Sequence, residues 1–348
     1  MMSILTPLDE LAESLYNALN LSDFQGTVAL GSRYPADQRD KVLPLFIKKY
    51  GELPSDMIAR LFKPPQKTIL TYLWSQRHEV RAEILLNAIR ASDYSTMMDL
   101  IFLSPRSDWE SIRTHYTRMC GRQLDADLIN SVKPGKREAA PMWPTLAEAW
   151  LRGTRSERYN TSNESVQLVS AIKRKDFSAI IWMLTNTVPS EWEKIVAITE
   201  ETFGSTLDEF FLSNLPYADC VAFSLGSSAL INPSLGAAFA ISRACFTNCD
   251  VKVREKETSK MERSASRPIK GTKKLKTGTI KLEEPRSSKK GPEYKGDVPR
   301  LIRISSLFFD SCNKCKFFYH KYGSLAADLR SGFASPLCDA FMRLWNVD

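Results

Sequence analysis

Histidine is nearly missing from this 348-residue chain, which has only His78, His115 and His320. None stands in a zinc-protease arrangement, and neither a phosphate-binding glycine loop nor a dinucleotide fingerprint occurs, so no enzyme is expected. Long apolar runs are lacking too. The best, Cys220 to Ile241, is interrupted by serines, glycines, Asn232 and Pro233, which excludes a helical span of the usual ~18 apolar residues. The opening Met1-Met2-Ser3-Ile4 carries neither a secretory pattern nor the Gly needed for myristoylation, so the expected location is cytoplasmic. Cysteine is sparse and odd in number, with seven at 120, 220, 245, 249, 312, 315 and 338, and reads as reduced thiols.

What is present is a globular composition, 43% hydrophobic and 25% charged, with a formal net charge of +8. The charge is concentrated. Sixteen Lys and Arg stand against seven Asp and Glu between Val251 and Arg300, a local +9 that leaves the other 298 residues at −1. This segment also holds Ser259, Ser264, Ser266, Ser287 and Ser288 and few core-forming residues. Such a composition predicts a disordered, solvated insertion, with Ser266 after Arg263 a place where phosphorylation would lower the positive charge.

Self-similarity organises the rest. Ala18-Leu19, Ala88-Ile89, Ala171-Ile172 and Ala240-Ile241 recur at intervals of 70, 83 and 69 residues. In the first three copies an Asp and an aromatic follow, Asp23-Phe24, Asp93-Tyr94 and Asp176-Phe177, and each Asp precedes a glycine by 28 residues: Gly51, Gly121 and Gly204. In the fourth copy the Asp is Asp297, 26 residues before Gly323 and 57 after Ala240, which makes the basic segment an insertion of about 52 residues. A proline then follows each glycine, at Pro64, Pro134, Pro216 and Pro336.

These markers punctuate helices. An Asp before an apolar run is a good N-cap, the recurrent Gly suits a left-handed C-terminal cap, and Pro is tolerated in a first turn. Each repeat reads as about five short helices with little strand pattern, and Pro44, inside the third helix of repeat one, should kink it. The seven tryptophans, 74, 109, 143, 150, 182, 192 and 345, lie in or beside apolar helical segments and are assigned to core or rim packing.

Four all-helical repeats of this length, with a longer connection between the second and third, resemble the annexin core. The best local match is Phe317-Phe318-Tyr319-His320-Lys321-Tyr322-Gly323-Ser324-Leu325, continuing through Asp328-Leu329. It is similar to the Phe…Tyr-Gly-x-Ser-Leu stretch of annexin repeats, with weaker echoes in Phe203-Gly204-Ser205-Thr206-Leu207 and Cys120-Gly121-Arg122-Gln123-Leu124. The divergence is most like that of the alpha-giardins, annexin-like cytoskeletal and membrane-associated proteins. The fold class expected is all-α, with annexin-like repeats over residues 1–78, 79–152, 153–231 (including the linker) and 232–348, the last holding the insertion at about 246–296.

The resemblance implies calcium-dependent phospholipid binding, through a Gly-x-Gly-Thr loop after the first helix and an acidic residue about 40 positions later, since Ca²⁺ needs six to eight oxygen ligands. Here the first loops read Asn20-Leu21-Ser22, Arg90-Ala91-Ser92 and Lys173-Arg174-Lys175, without glycine. The fourth loops, around Lys63-Pro64, Lys133-Pro134, Leu215-Pro216 and Phe333-Ala334, offer no carboxylate. No calcium ligand is therefore assigned, and calcium stands as a cofactor by resemblance alone. Asp23, Asp93 and Asp176 are read as helix caps. A four-thiolate zinc site from Cys245-x3-Cys249 and Cys312-x2-Cys315 matches in spacing, but the resemblance sets the two pairs at different ends of the repeat, and no metal residues are assigned.

In place of calcium, the repeat register puts the insertion in the first loop of repeat four, on the face the family turns to the membrane. The expected basic face comprises Lys63, Lys133, Lys173, Arg174, Lys175, Lys270, Lys273, Lys274, Lys276, Lys281, Lys289 and Lys290. At ~1 kcal/mol for each cation near an anionic bilayer, a handful of contacts would bind phospholipid without calcium. The alternative partner is tubulin or another acidic filament, attracted by the same field. No specific nucleic acid is expected, because the insertion contains a single aromatic, Tyr294, and so lacks a stacking platform.

Overall fold

The computed structural model describes residues 7–131, 141–157, 160–245 and 296–347. Among these residues twenty α-helices fall five to a repeat. Repeat one contains α1 (Pro7–Asn20), α2 (Phe24–Arg33), α3 (Ala36–Tyr50), α4 (Pro54–Leu61) and α5 (Gln66–Trp74). Repeat two contains α6 (Arg77–Ala91), α7 (Tyr94–Leu103), α8 (Trp109–Cys120), α9 (Leu124–Asn130) and α10 (Trp143–Arg152), with a 3₁₀ turn at Arg106–Asp108. Repeat three contains α11 (Thr161–Arg174), α12 (Phe177–Asn186), α13 (Pro189–Phe203), α14 (Leu207–Asn214) and α15 (Tyr217–Ile231). Repeat four contains α16 (Pro233–Cys245), α17 (Val298–Phe308), α18 (Cys315–Tyr319), α19 (Leu325–Gly332) and α20 (Leu337–Leu344). Among the described residues the one β-type pairing is an isolated bridge between Ser156 and Thr187.

The punctuation works as the sequence predicts. Asp23, Asp93, Asp176 and Asp297 each accept the amide N–H three residues on, capping the second helix of every repeat. Gly51, Gly121 and Gly204 close the third helices at φ 77, 71 and 65°, a region that an L side chain enters only at a cost. The prolines behave differently: Pro64 stands two residues before α5, and Pro216 and Pro336 immediately before their helices, rather than in the first turn, while Pro134 lies outside the described residues. α3 runs without a break through Pro44.

Repeats pair through their second and fifth helices. α2 packs on α20 and α17 on α5, joining repeats one and four, while α12 packs on α10 and α7 on α15, joining two and three. The register then gives equivalent positions different surroundings. Six residues after the capping Asp stand Ala29, Asp99, Trp182 and Arg303. In repeats two and four these residues meet at the centre: Asp99, 0% exposed, accepts from Arg303 Nη2 at 2.7 Å and from Arg300 Nη2 and Nε at 2.7 and 3.0 Å. In repeat three the same position lies on the outer flank, and Trp182 is 54% exposed, unlike the other six tryptophans, which are buried. Further buried cations tie repeat four to its neighbours. Arg81 pairs with Asp108 and donates to the Leu307 carbonyl, while Arg39 pairs with Asp310.

Candidate functional site

The first loop of each repeat is a tight reversal. Ser22, Ser92 and Lys175 adopt φ of 51, 54 and 57°, and behind them the N–H groups of Asp23, Asp93 and Asp176 reach back to the carbonyls of Ala18, Ala88 and Ala171 at 2.8–2.9 Å. A left-handed residue that returns the chain onto the last helical carbonyls is a C-terminal cap usually filled by glycine. The cap is thus formed here without glycine. In repeat four the Asp297 N–H still donates to the Ala244 carbonyl at 2.7 Å, so the inserted segment leaves and re-enters at hydrogen-bonded neighbours.

The carboxylates of these loops are occupied with capping. Asp93 accepts both the amide and the hydroxyl of Thr96. Burial works to raise its pKa, but these two bonds, together with the Arg303 charge and a bond from Ser95, outweigh it and hold the carboxyl below the ordinary value. Asp23 and Asp176 spend one oxygen each on Gly26 and Ala179. Opposite them the fourth loops present Lys63, Leu215 and Phe333 rather than acids. Among the described residues no three His, Cys, Asp or Glu side chains converge as a metal cluster. The donor set in the described loops does not fit a calcium ion of the family type, which needs a carboxylate across from the loop carbonyls.

The cysteine pairs do not converge either. Cys312 Sγ lies against the Pro233 carbonyl at the start of α16, whereas Cys245 ends that helix, about 18 Å away at 1.5 Å per residue. Burial pushes both thiols up to about 12, keeping them protonated rather than ready to ligate a metal. Cys249 lies outside the described residues.

Of the basic residues expected on this face, Lys63 is exposed in the α4–α5 loop. Lys173, Arg174 and Lys175 are exposed together at the α11–α12 reversal. They are not equivalent. Lys173 Nζ sits 5.8 and 5.7 Å from the rings of Phe203 and Phe210, a cation–π seat that holds it over repeat three. Arg174 borders a flank groove with Trp182. Lys133, Lys270, Lys273, Lys274, Lys276, Lys281, Lys289 and Lys290 lie outside the described residues.

Sequence reasoning missed a feature between the fourth loops of repeats one and four. These loops, each turning at a cis X–Pro bond, Pro64–Pro65 and Ser335–Pro336, enclose an open cavity of about 390 Å³. At the seam of repeats two and three, residues 132–140 of the fourth loop lie outside the described residues; next to them Asp219 Oδ1 accepts the N–H groups of Met142 and Trp143 at 2.7 and 2.9 Å. Desolvation raises the Asp219 carboxyl pKa against the pull of those two bonds. Repeat periodicity could not reveal the cavity, because it forms where two distant loops meet.

Comparison with known proteins gives one consistent relationship. A family model described as annexin E1, fourth repeat, matches residues 290–346. Giardin subunit alpha-8 of Giardia intestinalis is 30% identical over 338 residues, covering 97% of this chain and 92% of its own. Giardin subunit alpha-4 of the same organism is 26% identical, covering 97% and 98%. The crystal structure of calcium-bound alpha-1 giardin superposes with a TM-score of 0.79 at 22% identity, covering 99% of this chain and 100% of that one.

Proposed function

Because the chain belongs to the annexin-like alpha-giardins, we propose that it is a non-catalytic peripheral protein that binds anionic phospholipid through the face carrying the first and fourth loops, by cations rather than calcium. The observation that carries this reading is the chemistry of the loops. The family-type reversals persist, their carboxylates are engaged in capping, and Lys63 and Lys173-Arg174-Lys175 occupy positions where calcium donors would be required. Exposed cations beside an anionic bilayer contribute ~1 kcal/mol each, so the described four and part of the insertion suffice for micromolar-scale association. Among the described residues no helix is long and apolar enough to cross a membrane, which agrees with attachment from one side. The proposed location is cytoplasmic, at membrane or cytoskeleton.

Co-sedimentation with phosphatidylserine vesicles, in calcium and in EGTA, tests the proposal on the full chain and on a chain lacking residues 246–295. Binding in EGTA that weakens with salt and with the deletion is expected. Binding that requires calcium and survives the deletion would restore the ordinary family mechanism. Microtubule pelleting in the same buffers separates lipid from an acidic filament, which the same cations also fit; microtubule binding without vesicle binding would replace the lipid reading with the filament one.

A further inference from the structure

We infer that Arg106 and Arg155, at the junction of repeats two and three, form a site for one phosphomonoester group, carried by a phosphorylated serine or by a small phosphate ester. The buried arginines Arg39, Arg81, Arg300 and Arg303 each pair with an aspartate. Half-buried Arg155 does not. Its side chain takes part in no hydrogen bond or ion pair among the described residues, and its Nε is shut off from water without a partner. The guanidinium lies over the Trp150 ring, 4.6 Å from the centroid, which fixes its plane and leaves its in-plane donors unused. Arg106 Nη2 donates to the Gly153 carbonyl nearby, and this guanidinium too has no carboxylate partner among the described residues.

The two cations repel each other. Burial and the Arg106 charge push the Arg155 pKa down to about 10, with no carboxylate opposing them. A tetrahedral dianion between two planar guanidinium forks supplies the missing charge, since each fork matches a pair of phosphate oxygens; a single carboxylate would neutralise only one of the two. The backbone that carries Arg155 is held on both sides. Gly153 lies so near α12 that a Cβ there would come within 2.7 Å of the Thr185 carbonyl oxygen. The Ser156 N–H donates to the Asn186 carbonyl at 2.9 Å, and the Ser156 carbonyl accepts the Val188 N–H at 3.3 Å. A ligand therefore meets a fixed segment and need not order a loose loop. α7 leaves the first loop of repeat two and ends, ten residues later, just before Pro105, about 15 Å away at 1.5 Å per residue. α10, which packs on α7, ends at Arg152. The pair thus stands at the opposite end of these helices from the loops of the proposed lipid face, and the inference does not depend on that proposal.

The test is calorimetric titration of the full chain, in phosphate-free buffer with EGTA, using N-acetyl-phosphoserine amide, glycerol 3-phosphate and N-acetyl-serine amide. Saturable binding of the phosphoserine compound is expected, and none of its unphosphorylated form. Arg155→Gln and Arg106→Gln should each weaken it about tenfold or more. Arg155→Lys, which keeps the charge and loses the fork, should weaken it severalfold, while Arg33→Gln, at an exposed arginine of repeat one, should leave it unchanged. The phosphoserine compound should also raise the thermal unfolding midpoint of the wild-type chain but not that of Arg106→Gln, a reading that holds even where Arg155→Gln folds poorly. Tighter binding of phosphoserine than of glycerol 3-phosphate would assign the site to a phosphorylated segment, and equal binding to a small phosphate ester. Absence of saturable binding of either phosphate by the wild-type chain, undiminished affinity in Arg106→Gln, or equal binding of N-acetyl-serine amide would each overturn the inference.

Discussion

At the scale of single residues, most of the work on the candidate face is done by short polar side chains held in place by the backbone. Asp93 illustrates the energetics. Its folded pKa lies below the ordinary carboxylate value because Thr96 donates to it from both amide and hydroxyl. The stability it contributes is therefore present above the unfolded value of about 3.9 and is lost as pH falls through the lower folded one. Asp93→Ala should cost about 1 kcal/mol at neutral pH, the usual worth of such a cap. Asp93→Asn keeps an acceptor but cannot titrate, so its stability difference from wild type should shrink between pH 6 and pH 3. Urea unfolding across that range checks both, and a difference that stays constant with pH would mean the carboxylate charge plays no part.

At the scale of elements, the first loops combine two demands that pull apart. Lys175 holds a left-handed φ of 57°, a conformation that costs a non-glycine residue roughly 1–2 kcal/mol, yet it supplies a cation to the proposed lipid face. Lys175→Gly should relieve part of that strain and raise stability by roughly 0.5–1 kcal/mol, after the greater freedom of glycine in the unfolded chain is counted. The same change should weaken vesicle binding in EGTA. Chemical denaturation and co-sedimentation on one preparation read the opposed effects; a loss in both would show that the side chain packs rather than strains.

Much of this element scale was legible beforehand. The Asp–aromatic and Gly markers gave the second-helix caps and the third-helix ends, because those depend on local backbone chemistry that a sequence carries openly. The left-handed conformation of Ser22, Ser92 and Lys175 is not legible in the sequence, since no glycine announces it. Trp182, expected in core or rim packing, is more than half exposed, because helix periodicity says which face is apolar but not which helices stand at the centre. The pairing of Asp99 with Arg300 and Arg303 joins residues some two hundred positions apart. Their polar character within apolar helices was visible, while their partners were set by how the repeats close.

At the scale of the whole molecule, the inserted segment is a graft on an intact frame. Its ends are held by the Asp297 N–H to Ala244 carbonyl bond at 2.7 Å, the counterpart of the bond that closes the uninterrupted loops. Replacing residues 246–295 by a linker of about five residues shortens the closed loop roughly tenfold. With about 0.6 kcal/mol for each halving, stability should rise by up to about 2 kcal/mol. Thermal and urea unfolding of the shortened chain would show it, and a fall in stability would mean that the segment packs on the frame. Binding and folding would then be separable properties, the first carried by a replaceable loop and the second by the repeats.

The central cluster also bears on how such a molecule avoids pairing with itself. Asp99 and Arg303 stand at the same position of repeats two and four, so the two halves of the chain meet there with opposite charge. A folding accident that joined two first halves would bring carboxylate to carboxylate in a buried, water-poor centre, and two second halves would bring together four guanidinium groups. Each error leaves charges uncompensated where they are most costly. A chain built from repeats of one helical pattern thereby retains a distinction between its own complement and a second copy of itself.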